Sequence, residues 1–174
     1  MEAIRRLYNY LTGLYCTERF QNECVFCDRA NFANILYEDD KIIAIDSLRP
    51  AGQYHWLILP KVHAVRDIEG LNRQHIGLLQ AMDRVKKQLV REKCQGISPS
   101  AIMSGYHRGR RQLLGNIFWP DIISIRHLHL HVIVRPHLVP WLFKYPPWLP
   151  LMWKSDTRVL KETQLLLSST GCIT

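Results

Sequence analysis

His127-Leu128-His129-Leu130-His131-Val132-Ile133 places three imidazoles at alternate positions, separated by apolar side chains. In an extended chain successive side chains point to opposite faces. The three rings therefore share one face, and Leu128, Leu130 and Val132 share the other. Burying three titratable rings side by side is costly unless they are hydrogen-bonded, metal-bound or chemically active. A solvated strand with chance alternation would not repeat one titratable group three times. Two chemistries use such a set. Three neutral imidazoles can build a catalytic zinc site. Alternatively the middle ring, His129, is a nucleophile whose neighbours fix its tautomer and stabilise charge on the substrate. No carboxylate adjoins the run to orient a metal-bound ring from behind, which weighs against the first.

Outward from this run, the chain reads as alternating strand signals around one long helix. Ile35–Tyr37 and Ile42–Ile45 flank the acidic turn Glu38-Asp39-Asp40, a hairpin pattern. Asp46 to Gln53 carries Pro50 and Gly52 and reads as a loop into a third strand, His55–Leu59, ended by Pro60. From Leu71 to Lys93 the residues Leu71, Leu78, Leu79, Met82, Val85 and Leu89 keep one helical face, with Gly96 just past the end. Ala101–Met103 reads as a fourth strand, and His127–Val134, closed by Pro136, as a fifth. Residues 104–124 have no clean period. Prolines 140, 146, 147 and 150 bar a regular helix from the start of the tail, and Asp156–Leu167 suits a terminal helix. Residues 2–15 carry helically spaced apolar side chains, the pattern of a docked surface helix. The expected fold is α+β: an antiparallel sheet of about five strands with one long helix packed on it, plus terminal helices. The organisation is a helical extension over 1–20, a domain over 21–137 and a tail over 138–174.

At 174 residues the chain fits a single domain that needs no disulfide staples, and 47% hydrophobic content excludes wholesale disorder. No apolar run approaches the roughly 18 residues of a membrane span. The first 20 residues lack the apolar core of a secretory signal, which points to cytosol or nucleus. Of five cysteines only Cys24 and Cys27 lie close together, which in a reducing compartment suggests a metal or redox site. The net charge of +8 favours anionic partners but is equally common in merely soluble proteins.

The triad run resembles the signature of the histidine triad (HIT) family, and other segments agree in order and spacing. Cys24-Val25-Phe26-Cys27 looks like the family's cysteine pair, and Tyr37-Glu38-Asp39-Asp40 like its first hairpin. His55-Trp56-Leu57-Ile58-Leu59-Pro60-Lys61-Val62-His63 is similar to its histidine-strand-Pro-Lys-x-His segment, and Ser124 stands where the family has a serine. Gly105-Tyr106-His107 and a tail centred on Trp153 are most similar to the Hint branch of adenosine phosphoramidases. The resemblance spans about residues 22–136.

This resemblance implies a HIT-like fold and a nucleotide hydrolase acting on adenosine 5'-phosphoramidates or acyl- or lysyl-adenylates. His129 is then the nucleophile that carries the nucleotidyl group. His131 and Ser124 contact phosphate oxygens, His127 orients the triad, and His55 sits near the leaving group or backs the triad. Ile43 and Ile45 line the purine and ribose site. No cofactor is required for the reaction; in some relatives the counterparts of Cys24, Cys27, His63 and His127 hold a structural zinc. Partners implied are a purine nucleotide and, by analogy, a second copy of the chain, with Trp141, Trp148 and Trp153 offering surface to bury. Neither a membrane nor nucleic acid is expected.

Two departures stand out. The family's ribose aspartate falls at Ser47, with Asp46 one residue earlier, so either Asp46 shifts to reach the ribose or that contact is lost. Residues 109–122 exceed the usual length before the triad; they are either a lid that brings arginines to an anion site or retained intron sequence. Alternatives to the phosphoramidase are an aprataxin-like DNA-adenylate hydrolase, a catalytically impaired nucleotide-binding protein and a metallohydrolase. The aprataxin-like reading is disfavoured because only His137 and Cys172 follow Pro136 as finger ligands.

Overall fold

Asp39 turns the first hairpin: its carboxylate accepts from the amides of Lys41 at 2.7 Å and Ile42 at 2.6 Å. The turn joins β1 (Ile35–Glu38) to β2 (Ile42–Asp46). The remaining strands are β3 (Gly52–Pro60), β4 (Ile102–His107), β5 (Arg111–Leu114), β6 (Ile117–Trp119), β7 (Leu130–Pro136) and β8 (Trp153–Ser155). The helices are α1 (Ile76–Lys93), α2 (Leu138–Phe143) and α3 (Asp156–Ser168). α2 forms at the start of the tail, against the expectation from its prolines, because Pro140 falls in the first turn, where an amide proton has no helical partner to lose. This computed structural model describes residues 24–32, 34–109, 111–114, 117–119 and 125–168. The helix expected over 2–15 lies outside them.

Six strands form one antiparallel sheet in the order β1-β2-β3-β7-β4-β8, and β5 and β6 form a separate hairpin. The strand that carries His131 is therefore central, flanked by β3 and β4. It begins at Leu130 rather than at the expected His127, so His127 and His129 lie in the segment that leads into it. One face of the sheet carries Ile42, Ala44, Trp56, Ile58, Leu128, Leu130, Val132 and Val134 against Leu79, Met82, Val85 and Leu89 of α1. Each large side chain buried there contributes roughly 1.5–3 kcal/mol. The opposite face holds Phe26, Ile43, Ile45, Leu57 and Leu59 toward one end, and Ala51, Ile133, Tyr145 and Trp153 toward the other. The histidines stand between these two clusters.

The α+β architecture agrees with the sequence pattern, with differences in detail. The main sheet has six strands rather than about five. The added strand, β8, is three residues long, too short to display a period. The start of α3 anchors it: Asp156 receives a hydrogen bond from Ser104 of β4 at 3.0 Å and an ion pair from Lys86 of α1. β4 runs to His107, four residues beyond the expected end at Met103. α1 starts at Ile76 because Asn72 closes a capping box with His75, which makes residues 73–75 a tighter turn.

Candidate active site

Antiparallel register lays the site out in rows. Ile45 faces Leu57, Leu57 faces His131, and His131 faces Gly105. One row along, His55 faces Ile133 and Ile133 faces Met103. His55, His127, His129 and His131 are each less than 7% exposed. The triad rings gather on this side: His129 and His131 have centroids 4.7 Å apart, and Phe26 packs edge-on to His129 at 5.3 Å.

His129 is oriented by the backbone. Its Nδ1–H donates to the carbonyl of His127 at 2.6 Å, leaving Nε2 as the unprotonated nitrogen. Burial depresses its proton affinity, against the opposing effect of the His127 carbonyl, so the ring stays neutral near neutral pH.

His131 is wired the other way. The Ala51 amide donates to Nδ1 of His55 at 3.2 Å, so the His55 proton sits on Nε2 and is given to Nδ1 of His131 at 2.9 Å. Burial dominates the titration of His55 and lowers its pKa to about 4, although the Arg49 carbonyl favours the protonated ring. Once Nδ1 of His131 accepts, its proton lies on Nε2. That N–H is buried without a hydrogen-bond partner among the described residues. A buried donor of this kind is costly to leave unpaired and is an anion-binding group in waiting.

His127 has a third wiring. Its Nε2–H donates to the Pro60 carbonyl at 2.9 Å, which frees Nδ1. Nδ1 stands 3.5 Å from Sγ of Cys24 and 3.6 Å from Sγ of Cys27, and Nδ1 of His63 stands 3.4 Å from Sγ of Cys27. All four ligand atoms lie within 4.8 Å of one another. Around zinc, with bonds of about 2.3 Å to sulfur and 2.0–2.1 Å to nitrogen, tetrahedral geometry puts sulfur and nitrogen about 3.5 Å apart. The residues therefore fit zinc in both donor type and spacing. Partial desolvation and the adjacent Cys24 hold the Cys27 thiol up at about 11, so Cys27 resists becoming a thiolate unless a cation joins it.

Of the nucleotide-site residues, Ile43 and Ile45 lie buried on the triad face with Phe26, Leu57 and Leu59. Asp46 does not share that face. It pairs with Trp56, which belongs to the helix-side core, and its carboxylate accepts from the Asn34 side chain. Strand alternation returns Ser47 to the Ile43 and Ile45 side; its amide donates to the His55 carbonyl at 2.8 Å. Ser124 lies outside the described residues.

The segment at 109–122 contains the β5–β6 hairpin, tethered at its base. Arg108 makes a two-pronged ion pair with Glu69 at 2.7 and 3.0 Å, and Arg111 reaches Glu69 at 3.4 Å and the Leu151 carbonyl at 2.8 Å. Of the segment's two arginines, Arg111 is thus committed to Glu69 and the tail, while Arg110 lies outside the described residues. Gly109 passes against the Asp67 carboxylate, where a Cβ would collide.

Sequence reasoning placed three residues of this neighbourhood elsewhere or nowhere: His107 and Tyr145 were given no role, and Trp153, expected as surface to bury against a second copy, is only 3% exposed within this chain. His107, at the end of β4, stacks edge-on to His131 with centroids 4.9 Å apart, and burial above all lowers its pKa to about 3. Its parity with Gly105 on β4 is the signal that would have found it. Tyr145 packs within 5.5 Å of His55, His107 and His131, and Trp153 lies 5.7 Å from His131. Trp153 can lie there because Gly105 has no side chain: a Cβ would stand 2.8 Å from the indole. Asp67, whose carboxylate accepts from the Glu69 amide at 2.8 Å, lines a small cavity together with His107, His127 and His129.

Fold and ring arrangement together define the class of small α+β enzymes built on a row of histidines with one bare, backbone-oriented nitrogen. Residues 23–144 match the family described as scavenger mRNA decapping enzyme C-term binding, and the chain belongs to the histidine triad (HIT) family of hydrolases. It is 31% identical to an adenosine 5'-monophosphoramidase of Xenopus tropicalis over 66% of this chain and 69% of that protein. It is 30% identical to the bifunctional adenosine 5'-phosphosulfate phosphorylase/adenylylsulfatase of Arabidopsis thaliana over 80% and 89%. Against the aprataxin of Danio rerio it is 32% identical over 65% of this chain, which spans only 30% of that protein's length. Among solved structures, a histidine triad protein from Clostridium difficile superposes with a TM-score of 0.53 at 21% identity, over 67% of this chain and 93% of that one.

Proposed function

We propose that this protein hydrolyses adenosine 5'-phosphoramidates or related acyl- or lysyl-adenylates through a nucleotidyl-histidine intermediate. The observation that carries the reading is the bond from Nδ1–H of His129 to the His127 carbonyl, which leaves a bare Nε2 beside the unpartnered Nε2–H of His131. The lone pair of His129 Nε2 attacks phosphorus, forming a P–N bond as the bond to the leaving nitrogen or oxygen breaks. The leaving group takes that electron pair and a proton from solvent. Nε2–H of His131 holds a non-bridging oxygen as charge builds on it. The His127 carbonyl favours the positive ring of the intermediate. Water then attacks phosphorus and loses a proton, releasing AMP and restoring the neutral ring. Splitting one transfer into two lowers each barrier.

Cys24, Cys27, His63 and His127 would hold a structural zinc, which when bound ties the first turn of the domain to the triad backbone. The four residues also place the His127 carbonyl that orients His129.

A second reading, removal of adenylate from nucleic-acid ends, draws support from the aprataxin match and the net charge of +8. One assay separates them: turnover of adenosine 5'-phosphoramidate, lysyl-adenylate and a 5'-adenylated DNA, with and without residues 109–122. The first reading expects the small substrates to turn over fastest; preference for the DNA end would replace it with the second. His129→Ala is expected to fold, to lose at least about 10³-fold in turnover and to take no covalent AMP label. Retained labelling would end the nucleophile assignment. Tight nucleotide binding without hydrolysis in the wild-type chain would mark a binding protein instead.

A further inference from the structure

Beyond the triad, the start of the tail and the loop before β3 carry a group of exposed apolar side chains that form a knob. Leu138 (66% exposed), Val139, Phe143 (74%) and Trp148 (51%) project from α2 and the turn after it, and Trp148 rests edge-on against Trp141 with centroids 4.8 Å apart. Leu48, 84% exposed, joins them from the loop, which is tied to the tail by the His137 amide donating to the Ala51 carbonyl at 2.8 Å. Clustered exposed side chains of this kind mark contact surfaces.

The charge around the knob says which contact. Arg49, Arg135 and Lys144 are exposed on its flanks, and Arg49 lies near enough to Lys144 to add to the burial that lowers its proton affinity. Neither stretch that carries it, 47–66 or 125–155, contains an aspartate or glutamate. Aromatic and aliphatic tips ringed by cations suit a surface that is apolar beneath and anionic at its boundary. A second copy placed knob to knob would set the same cations against one another. A protein partner would require pockets matched to each side chain, whereas a lipid boundary accepts unlike shapes.

We propose that this knob docks the protein onto anionic phospholipid surfaces, without crossing them. None of the described helices is long and apolar enough to span a membrane, and α2 is only six residues long. The contact is peripheral: Phe143, Trp148 and Leu48 enter the headgroup boundary while Arg49, Arg135 and Lys144 meet lipid phosphates. The chain leaves α2 for Tyr145, which packs on His55, so the docked face adjoins the triad.

The test is co-sedimentation of the full chain with vesicles of phosphatidylcholine, alone and with about 30% phosphatidylserine. Binding is expected with phosphatidylserine, absent or weak without it, and reduced by salt. Phe143→Ser with Trp148→Ser is expected to lower vesicle affinity at least about tenfold while melting and solution turnover stay at wild-type levels. Arg49→Glu, a change at an exposed loop residue, is expected to lower it about fivefold or more and serves if the double variant fails to fold. The proposal falls if wild-type protein does not sediment with anionic vesicles, or if Arg49→Glu and the double variant sediment as well as wild type. It falls equally if the knob variants only turn a dimer into a monomer, which would make a second copy the occupant. Binding to soluble polyglutamate but not to vesicles would assign an acidic protein and overturn it too.

Discussion

His127 and His131 are four residues apart, belong to the same repeat and are both buried, yet they are wired in opposite senses. His127 gives its Nε2 proton to a backbone carbonyl and turns a bare Nδ1 toward two sulfurs. His131 accepts on Nδ1 from His55 and turns an Nε2–H into the site. Under the proposed mechanism one serves as a ligand and the other as an anion donor, with the nucleophile between them. The difference lies in the partners behind each ring, Pro60 for one and His55 for the other. Role in this site is assigned by tautomer, and tautomer by tertiary neighbours.

The contrast is broken most drastically at the His127 end. Cys24→Ser with Cys27→Ser should abolish zinc binding and lower the melting temperature by on the order of 10 °C, because metal affinity is folding free energy in such sites. Metal analysis and calorimetry of protein purified without chelator check both. Wild-type protein that is free of zinc and no more stable than the variant would remove the ligand role from His127.

At the other end the consequence is a pH dependence. His55 is held at about 4 and His107 at about 3, chiefly by burial, against an unfolded value near 6.5. The unfolded chain therefore takes up protons first as pH falls. The native state keeps its full advantage above about pH 6.5 and loses it progressively toward pH 4, by about 3 kcal/mol through His55 alone. Denaturant melts between pH 7 and 4 should show this slope, and His55→Leu should flatten it. An unchanged slope in that variant would mean that His55 is protonated in the folded protein.

How much of this was legible depends on how far each partner lies along the chain. The three-ring face could be read because parity is local, and so could His55, on a strand with its own signal. His107 was not legible as a site residue, since the strand signal of β4 fades at Met103 and residues 104–124 show no period. Tyr145 and Trp153 come from a proline-rich tail whose single short strand gives no pattern. The hairpin of 111–119 pairs over too few residues to announce itself, and its tether to Glu69 is a contact across about forty residues. Asp46 is the instructive case: strand parity alone places it opposite Ile45, and the resemblance drew attention to it in spite of that.

The relay behind His131 is the next test. His55→Leu removes the donor that fixes the His131 tautomer, and turnover should fall about 10²-fold, equivalent to about 2.7 kcal/mol of barrier. His55→Gln keeps an amide donor and should recover part of that loss, with the effect in kcat more than in KM. If Leu and Gln behave alike, the ring of His55 acts by filling space rather than by directing a proton.

The smallest effect expected distinguishes two neighbouring residues by face. Ser47 stands on the Ile43 and Ile45 side, whereas Asp46 stands in the Trp56 row and is bonded to Asn34. A neutral hydroxyl contact to a ribose contributes roughly 0.5–1.5 kcal/mol, so Ser47→Ala should raise KM for an adenosine substrate about two- to tenfold with kcat little changed. Asp46→Asn should leave KM unchanged and show itself only in melting, through the altered pairing with Asn34. The reverse result, with KM moving for Asp46 and not for Ser47, would mean that the end of β2 turns over when nucleotide binds, and that the carboxylate reaches the triad face after all.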